Sequence, residues 1–183
     1  MSEEIIRLGK LEVNLDELTV FLVEAKINCY ASEGEEAKLS DSGRRLVFQQ
    51  DNFHYTDEYA GYFQAPGSEI VRWKRANGQR IWTMSYSGGM LPKFQRDLEK
   101  AKKVYKLLKS ALGLVNPVAP FRGPEGKKWV KGEIGESMFI YKAKTEGDIK
   151  RFRGREIISE QKQDEDLVVV YSQEYIGGLV IPK

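Results

Sequence analysis

Histidine and cysteine are almost missing from this chain of 183 residues, which carries one of each, His54 and Cys29. A single cysteine forms no internal disulfide framework and no cysteine-based zinc cage. A single histidine rules out a two-histidine metal site and leaves few routes to histidine-based catalysis. Asp51, His54 and Asp57 are close in sequence, but strand alternation puts His54 on the face opposite the two aspartates, so no metal site is expected there. No run of eighteen apolar residues occurs, and the N-terminal Met1-Ser2-Glu3-Glu4 is acidic where a signal peptide is basic. The expectation is a cytoplasmic protein without membrane contact. Charge of one sign is also lacking: 29 basic against 27 acidic side chains leave a net +2, so no global field draws the protein to nucleic acid. There is no P-loop and no serine nucleophile elbow. Gly88-Gly89 and Gly177-Gly178 read as turns that end strands. No catalytic residue and no cofactor follow from these motifs, and the balance falls against an enzyme.

What the chain does have is a globular composition, with 41% apolar and 31% charged residues spread along its length. Its richness in charge and poverty in Cys and His fit a thermophilic source. The length suits one domain, residues 1–183, and a partial internal echo divides it into halves at about 14–92 and 93–183. Phe53-His54-Tyr55, Gly61, Gly67-Ser68-Glu69-Ile70-Val71 and Tyr86-Ser87-Gly88-Gly89 return as Phe139-Ile140-Tyr141, Gly147, Gly154-Arg155-Glu156-Ile157-Ile158 and Tyr175-Ile176-Gly177-Gly178. Four groups in one order at nearly constant spacing point to an internal duplication.

Asn14-Leu15-Asp16-Glu17 has the form of a capping box, and Leu15, Leu18, Leu22, Ala25 and Cys29 continue it as one apolar helical stripe ending near Ser32 and Gly34. Cys29 is then an inert core residue. Residues 33–44 read as a surface loop. Strands are expected over 46–50 and 53–59 around an Asp51-Asn52 turn, with Phe53, Tyr55 and Tyr59 inward. Two more are expected over 68–74 and 79–86 around Asn77-Gly78, a type I′ signal. Pro92 opens a second helix with Phe94, Leu98, Ala101, Tyr105, Leu108 and Leu112 on one side. Four further strands fall near 129–134, 138–144, 156–161 and 167–175. The predicted fold class is α+β, each half one helix plus about four antiparallel strands, the helices on one face of the sheet.

Several strings carry a family resemblance: Tyr30-Ala31 before a polar loop, Asp57-Glu58-Tyr59-Ala60-Gly61, Gly67-Ser68-Glu69, Ile81-Trp82-Thr83-Met84-Ser85-Tyr86 and Pro120-Phe121-Arg122-Gly123-Pro124. Together they resemble an uncharacterised family known only as a domain of unknown function, over most of the chain. Members occur alone or behind a helix-turn-helix domain, which by association implies a sensing or effector-binding module. The chain departs from that family where Ser32-Glu33-Gly34 replaces a Gly-Asn-Gly type of turn. The resemblance supplies no catalytic residues.

Two functional readings follow from the residues. Tyr30, Tyr55, Tyr59, Trp73, Trp82 and Tyr86, with Phe53 and Glu69, are dense enough to line a small-molecule pocket, although alternating aromatics also build ordinary cores. The alternative is a nucleic-acid-associated protein using Lys100, Lys103 and Lys106 on the basic side of the helix at 93–112, a bias that a solvated face also explains. Glu69 and Glu156 hold the same place in the two copies, and alternation aims both carboxylates at apolar neighbours. Such a site demands hydrogen-bond donors, for which Tyr55, Tyr86, Tyr141 and Tyr175 are the candidates. The expectation is a structural lock in each half, against the sharper one of an acid and base pair meeting where the halves join. The ligand, the oligomeric state and the physiological partner are left open by the residues.

Overall fold

A computed structural model describes residues 4–31, 37–125, 130–134, 137–162 and 166–183. Strands β1 (Ile5–Leu8) and β2 (Leu11–Asn14) pair as a hairpin over Gly9, whose φ of 65° is a left-handed turn. Sequence reading left this segment without a pairing. Helix α1 (Leu15–Ala31) starts where the capping box predicts, with Asn14 Oδ1 accepting from the amides of Asp16 at 2.9 Å and Glu17 at 3.2 Å. The whole predicted stripe, Leu15, Leu18, Leu22, Ala25 and Cys29, is buried. Ser32, Glu33 and Gly34, expected to end this helix and turn the chain, lie outside the described residues.

Strands β3 (Ala37–Lys38), β4 (Arg44–Gln50), β5 (Phe53–Tyr59), β6 (Gly67–Trp73) and β7 (Arg80–Met90) follow, then α2 (Leu98–Leu112) and β8 (Val130–Ile134), β9 (Ser137–Asp148), β10 (Arg151–Lys162) and β11 (Val168–Leu179). Among the described residues β3 to β11 form one nine-stranded antiparallel sheet in the order β3-β4-β5-β6-β7-β11-β10-β9-β8. The class is therefore α+β with two helices on a large antiparallel sheet. Strand β3 falls inside the stretch expected to be loop.

Cross-strand register fixes the inward face. Tyr55 stands opposite Val71, Val71 opposite Trp82, Tyr86 opposite Tyr175, Gln173 beside Glu156, and Ile158 opposite Tyr141. The pleat therefore puts these side chains on one side, where α1 covers the first strands and α2 the later ones. The other side is open, with Ile176 and Val47 each more than half exposed.

Three local readings need correction. The β6–β7 connection is not a type I′ turn at Asn77-Gly78: the positive φ belongs to Lys74 at 64°, and Trp73 N donates to Gln79 O at 2.9 Å across a six-residue loop. The amide of Lys74 also donates to Asn52 O at 2.8 Å, so a neighbouring turn ties this loop in a way that a two-residue turn cannot accept. Gly88-Gly89 and Gly177-Gly178 do not end strands but lie inside β7 and β11. At Gly89 the reason is close approach, since a Cβ would collide with the carbonyl oxygen of Phe63. Pro92 opens only a 3-10 turn, Pro92–Phe94, and α2 begins later, capped by Asp97, whose Oδ1 accepts from Lys100 N at 2.9 Å. The buried stripe is Ala101, Val104, Leu107, Ala111 and Leu112, with Tyr105 and Leu108 half-buried and Leu98 about half exposed.

Candidate functional site

The core beneath α1 is interrupted by charge. Glu69 on β6 and Glu156 on β10 are fully buried, as alternation predicts, and Asp57 on β5 is 1% exposed. Two cations meet them: Lys26 from α1 pairs with Glu69, and Arg122 from the loop after α2 donates to Glu156 Oε1 through Nη2 at 2.9 Å and Nε at 3.2 Å. Arg122 Nη1 also stands 3.7 Å from Glu69 Oε1, so one guanidinium joins the two glutamates. Its plane lies over the Tyr86 ring, 5.3 Å from the centroid.

Tyrosines complete the shell. Tyr86 donates to Asp57 Oδ1 at 2.6 Å and Tyr30 to Asp57 Oδ2 at 2.9 Å, with Glu69 Oε1 3.4 Å from the Tyr30 hydroxyl. Tyr141 donates to Glu156 Oε2 at 2.7 Å and in turn accepts from Gly123 N at 3.0 Å. Gln173 reaches Glu156 Oε1 at 3.2 Å, and the Tyr171 hydroxyl bridges towards both. Of the four predicted donors, only Tyr141 serves a glutamate. Tyr86 goes to Asp57, Tyr175 pairs with Thr145 at 2.8 Å, and the buried Tyr55 hydroxyl has no partner among the described residues.

The two halves of this network differ electrostatically. Burial pulls Arg122 down, but Glu156, Tyr30 and Tyr171 together push it well above its ordinary value and hold the guanidinium protonated. Burial lowers Lys26 from its ordinary value, with Glu69 pushing it back. Burial, reinforced by Glu69, raises Asp57 to about 6 against the donors Tyr86 and Tyr30. In this network three buried carboxylates, Asp57, Glu69 and Glu156, thus face two buried cations, and Asp57 is the one of the three with no cation hydrogen-bonded to it.

Asp57, Tyr30, Tyr86, Arg122 and Gln173 also form the inner surface of a cavity of about 850 Å³. Its walls include Tyr59, Tyr62, Tyr105 and Leu108, and Lys109 and Arg44 stand at its edge. Tyr105 donates to the carbonyl of Tyr62, and its ring meets Tyr62 and Tyr171 edge-on, 5.3 and 6.3 Å between centroids. Cys29 lines the cavity too, its thiol pushed up to about 12 by burial.

Of the residues proposed from sequence, Tyr30, Tyr59 and Tyr86 line this cavity, and Glu69 supports it from behind. Tyr55, Trp73 and Trp82 do not. Trp73 packs edge-on against Phe53, 5.6 Å away, and Trp82 stacks on Phe152 at 5.6 Å while donating to Ile149 O. These are core contacts. Lys100 is already paired with Glu160, Lys103 is half-buried, and Lys106 is exposed. His54 points to the opposite side of the sheet, between Gln49 and Arg72, and burial lowers its pKa.

Asp57, Lys26, Gln173 and Arg122 were missed as site residues. Asp57 had a signal, since it shares the alternating face of Phe53, Tyr55 and Tyr59. Lys26 lies beside the stripe of Leu22, Ala25 and Cys29, and Gln173 alternates with Tyr171 and Tyr175. Arg122 had no local periodic signal, because it sits in an irregular Pro- and Gly-rich loop.

This inward-facing network runs from β5 to β11, and a family model covers the same stretch, matching residues 57–180. The chain belongs to the family described as a domain of unknown function, DUF5680. Asp57, Glu69, Arg122, Glu156 and Gln173 all fall inside the DUF5680 match, whereas Lys26 and Tyr30 are supplied by α1 outside it. No curated protein and no solved structure matches the chain. Among the described residues no helix is long and apolar enough to cross a membrane.

Proposed function

We propose that this protein is a non-enzymatic small-molecule-binding or sensory module whose ligand occupies the cavity between α1, α2 and the centre of the sheet. The observation that carries the reading is the meeting of a tyrosine-walled cavity of about 850 Å³ with an anchored polar floor, Asp57, Tyr30, Tyr86 and Arg122. That volume suits a metabolite-sized ligand, and a few convergent polar groups among aromatics are what orient one. The floor is preorganised, because Arg122 and Asp57 are held by their own partners before any ligand arrives. A screen of metabolite-sized compounds by thermal shift, run on wild type and on Leu108→Trp, tests it. Compounds that raise the Tm of wild type but not of the filled-cavity variant support the reading. A screen with no cavity-dependent shift defeats it.

The second reading is nucleic-acid association through the basic side of α2, where Lys106 and Lys109 are exposed, Lys103 lies beside them and Lys102 is paired with Glu99 at 2.7 Å. Lys100 contributes little to it, since Glu160 already neutralises it. Binding of that kind weakens steeply with salt, and no retention of DNA or RNA at low salt removes it. A cytoplasmic location and an origin of the two halves by duplication are parts of the same proposal. In support of duplication, Glu69 and Glu156 share one guanidinium, and Gly67 and Gly154 each lie directly opposite a tyrosine, Tyr86 and Tyr175.

A further inference from the structure

We infer that the cavity selects organic cations, taking an ammonium group against the Asp57 carboxylate with the rest of the ligand among the tyrosine rings. The inference rests on the cavity reading above and names its ligand class.

It starts from the pairing pattern. Glu156 has Arg122, and Glu69 has Lys26, with Arg122 at 3.7 Å. Among the described residues Asp57, on the cavity surface, accepts hydrogen bonds from two neutral hydroxyls, Tyr30 and Tyr86, and from no cation. Each of its oxygens accepts one of these and keeps a lone pair for a further donor. A buried carboxylate without a cation is costly, and a ligand that brings the cation removes that cost. The walls suit the same charge: Tyr30, Tyr59, Tyr62, Tyr105 and Tyr171 line the cavity, and aromatic ring faces attract ammonium groups, as Arg122 over Tyr86 already illustrates. An anionic ligand would place its charge beside Asp57 and Glu69, and Arg122 is already committed to Glu156.

Protonation follows from the same arrangement. The groups facing Asp57 are Tyr30, Lys26 and Cys29 from α1, Glu69 from β6, Tyr86 from β7 and Arg122 from the loop after α2. Burial and Glu69 together raise Asp57 to about 6. An ammonium docked on it stabilises the ionised form, so binding at pH 6 expels roughly half a proton per ligand. At pH 8, where Asp57 is already ionised, the release vanishes.

The test uses the full chain and three matched probe sets: tryptamine and phenethylamine, the acids indole-3-acetate and phenylacetate, and neutral indole and benzyl alcohol. Titration calorimetry at pH 6 in two buffers of different ionisation enthalpy reads affinity and proton exchange together. The expected result is amine binding at least tenfold tighter than acid or neutral binding, with proton release at pH 6 and none at pH 8. Asp57→Asn loses both the preference and the release, and Leu108→Trp, placed on the wall away from the charges, loses binding of every probe. Equal or stronger binding of the acids, or amine binding with no proton release at pH 6, overturns the inference. If acids or neutral probes bind wild type and not Leu108→Trp, the cation assignment falls and the cavity reading stands. Silence of all three sets overturns the cation assignment and counts against the cavity reading as well.

Discussion

Arg122 and Glu156 are joined through two guanidinium nitrogens on a single carboxylate oxygen, 2.9 and 3.2 Å away, with both side chains essentially excluded from water. A pair of this kind, once broken, leaves a charge with no solvent to receive it. Arg122→Met is therefore expected to lower stability by about 3–5 kcal/mol. The adjacent Glu69 loses a neighbour at the same time. Urea unfolding of the variant measures the effect, and a midpoint unchanged from wild type would show that the guanidinium does not hold the two glutamates.

Glu69→Gln and Glu156→Gln test the expectation of structural locks. Each removes the charge from a fully buried group held by cations or donors, Lys26 with Arg122 nearby for Glu69, and Arg122, Tyr141 and Gln173 for Glu156. A loss of roughly 1–3 kcal/mol is expected for each, since a neutral amide satisfies these donors imperfectly. Combining Glu69→Gln with Lys26→Met should cost less than the sum of the two single changes, because the pair is removed together. Melting curves decide, and two variants that melt like wild type would hand these residues to function instead.

Asp57 gives stability an inverted pH dependence. Its carboxyl titrates near 6 in the folded protein, above the ordinary 3.8, so between those values the folded state holds the proton more tightly. Folding is then favoured as pH falls through 6 and disfavoured as it rises, the opposite of a salt-bridged aspartate. Relative to Asp57→Asn, wild type should gain about 2 kcal/mol between pH 7.5 and 4.5. Unfolding of both proteins across that range measures the gap, and a constant gap would mean that Asp57 is not raised.

At Gly67 and Gly154 the tyrosine opposite on the partner strand, Tyr86 or Tyr175, lies against the glycine. A Cβ at Gly67 would collide with the Tyr86 hydroxyl, and one at Gly154 with the Tyr175 ring. Alanine at either position should cost about 1–3 kcal/mol through overpacking. Only Gly67→Ala should disturb Asp57, because Tyr86 is its donor. Thermal melts give the first effect; loss of the Tyr86 donor should raise the proton affinity of Asp57 in Gly67→Ala and leave it unchanged in Gly154→Ala.

A fragment of residues 1–116 removes β11, the partner along β7 from Trp82 to Met90, and takes Arg122 and Glu156 with it. The remaining strands present a long open edge, and the buried Asp57 and Glu69 are left with Lys26 alone as a cation. This fragment should show no cooperative melt. A sharp transition would mean that the first strands close a core of their own.

The elements that sequence described well are those set by short-range rules. The Asn14 cap and the stripe to Cys29 define α1 because helix starts and helical periodicity are local. The turn at Asp51, with φ of 50°, places β4 against β5 as expected. Reading failed where a distant contact overrides a local preference. Asn77-Gly78 has the composition of a type I′ turn, yet the neighbouring Asn52 carbonyl claims Lys74 and reshapes the loop. The glycine pairs look like breakers, yet they are the price of close backbone packing inside β7 and β11.

By itself the sequence determined that two helices and a run of alternating strands would form an α+β protein, and that Glu69 and Glu156 would be buried, because period and burial are written in neighbouring residues. Tertiary structure alone decided what those carboxylates meet. Arg122 comes from an irregular loop and Lys26 from the edge of a helical stripe, so no spacing announces either. The aromatic residues were separated in the same way: Tyr30, Tyr59 and Tyr86 open onto the cavity while Tyr55, Trp73 and Trp82 fill the core. All six occupy inward positions, and only the placement of α1, α2 and the Arg122 loop above the sheet determines which of them has empty space in front of it.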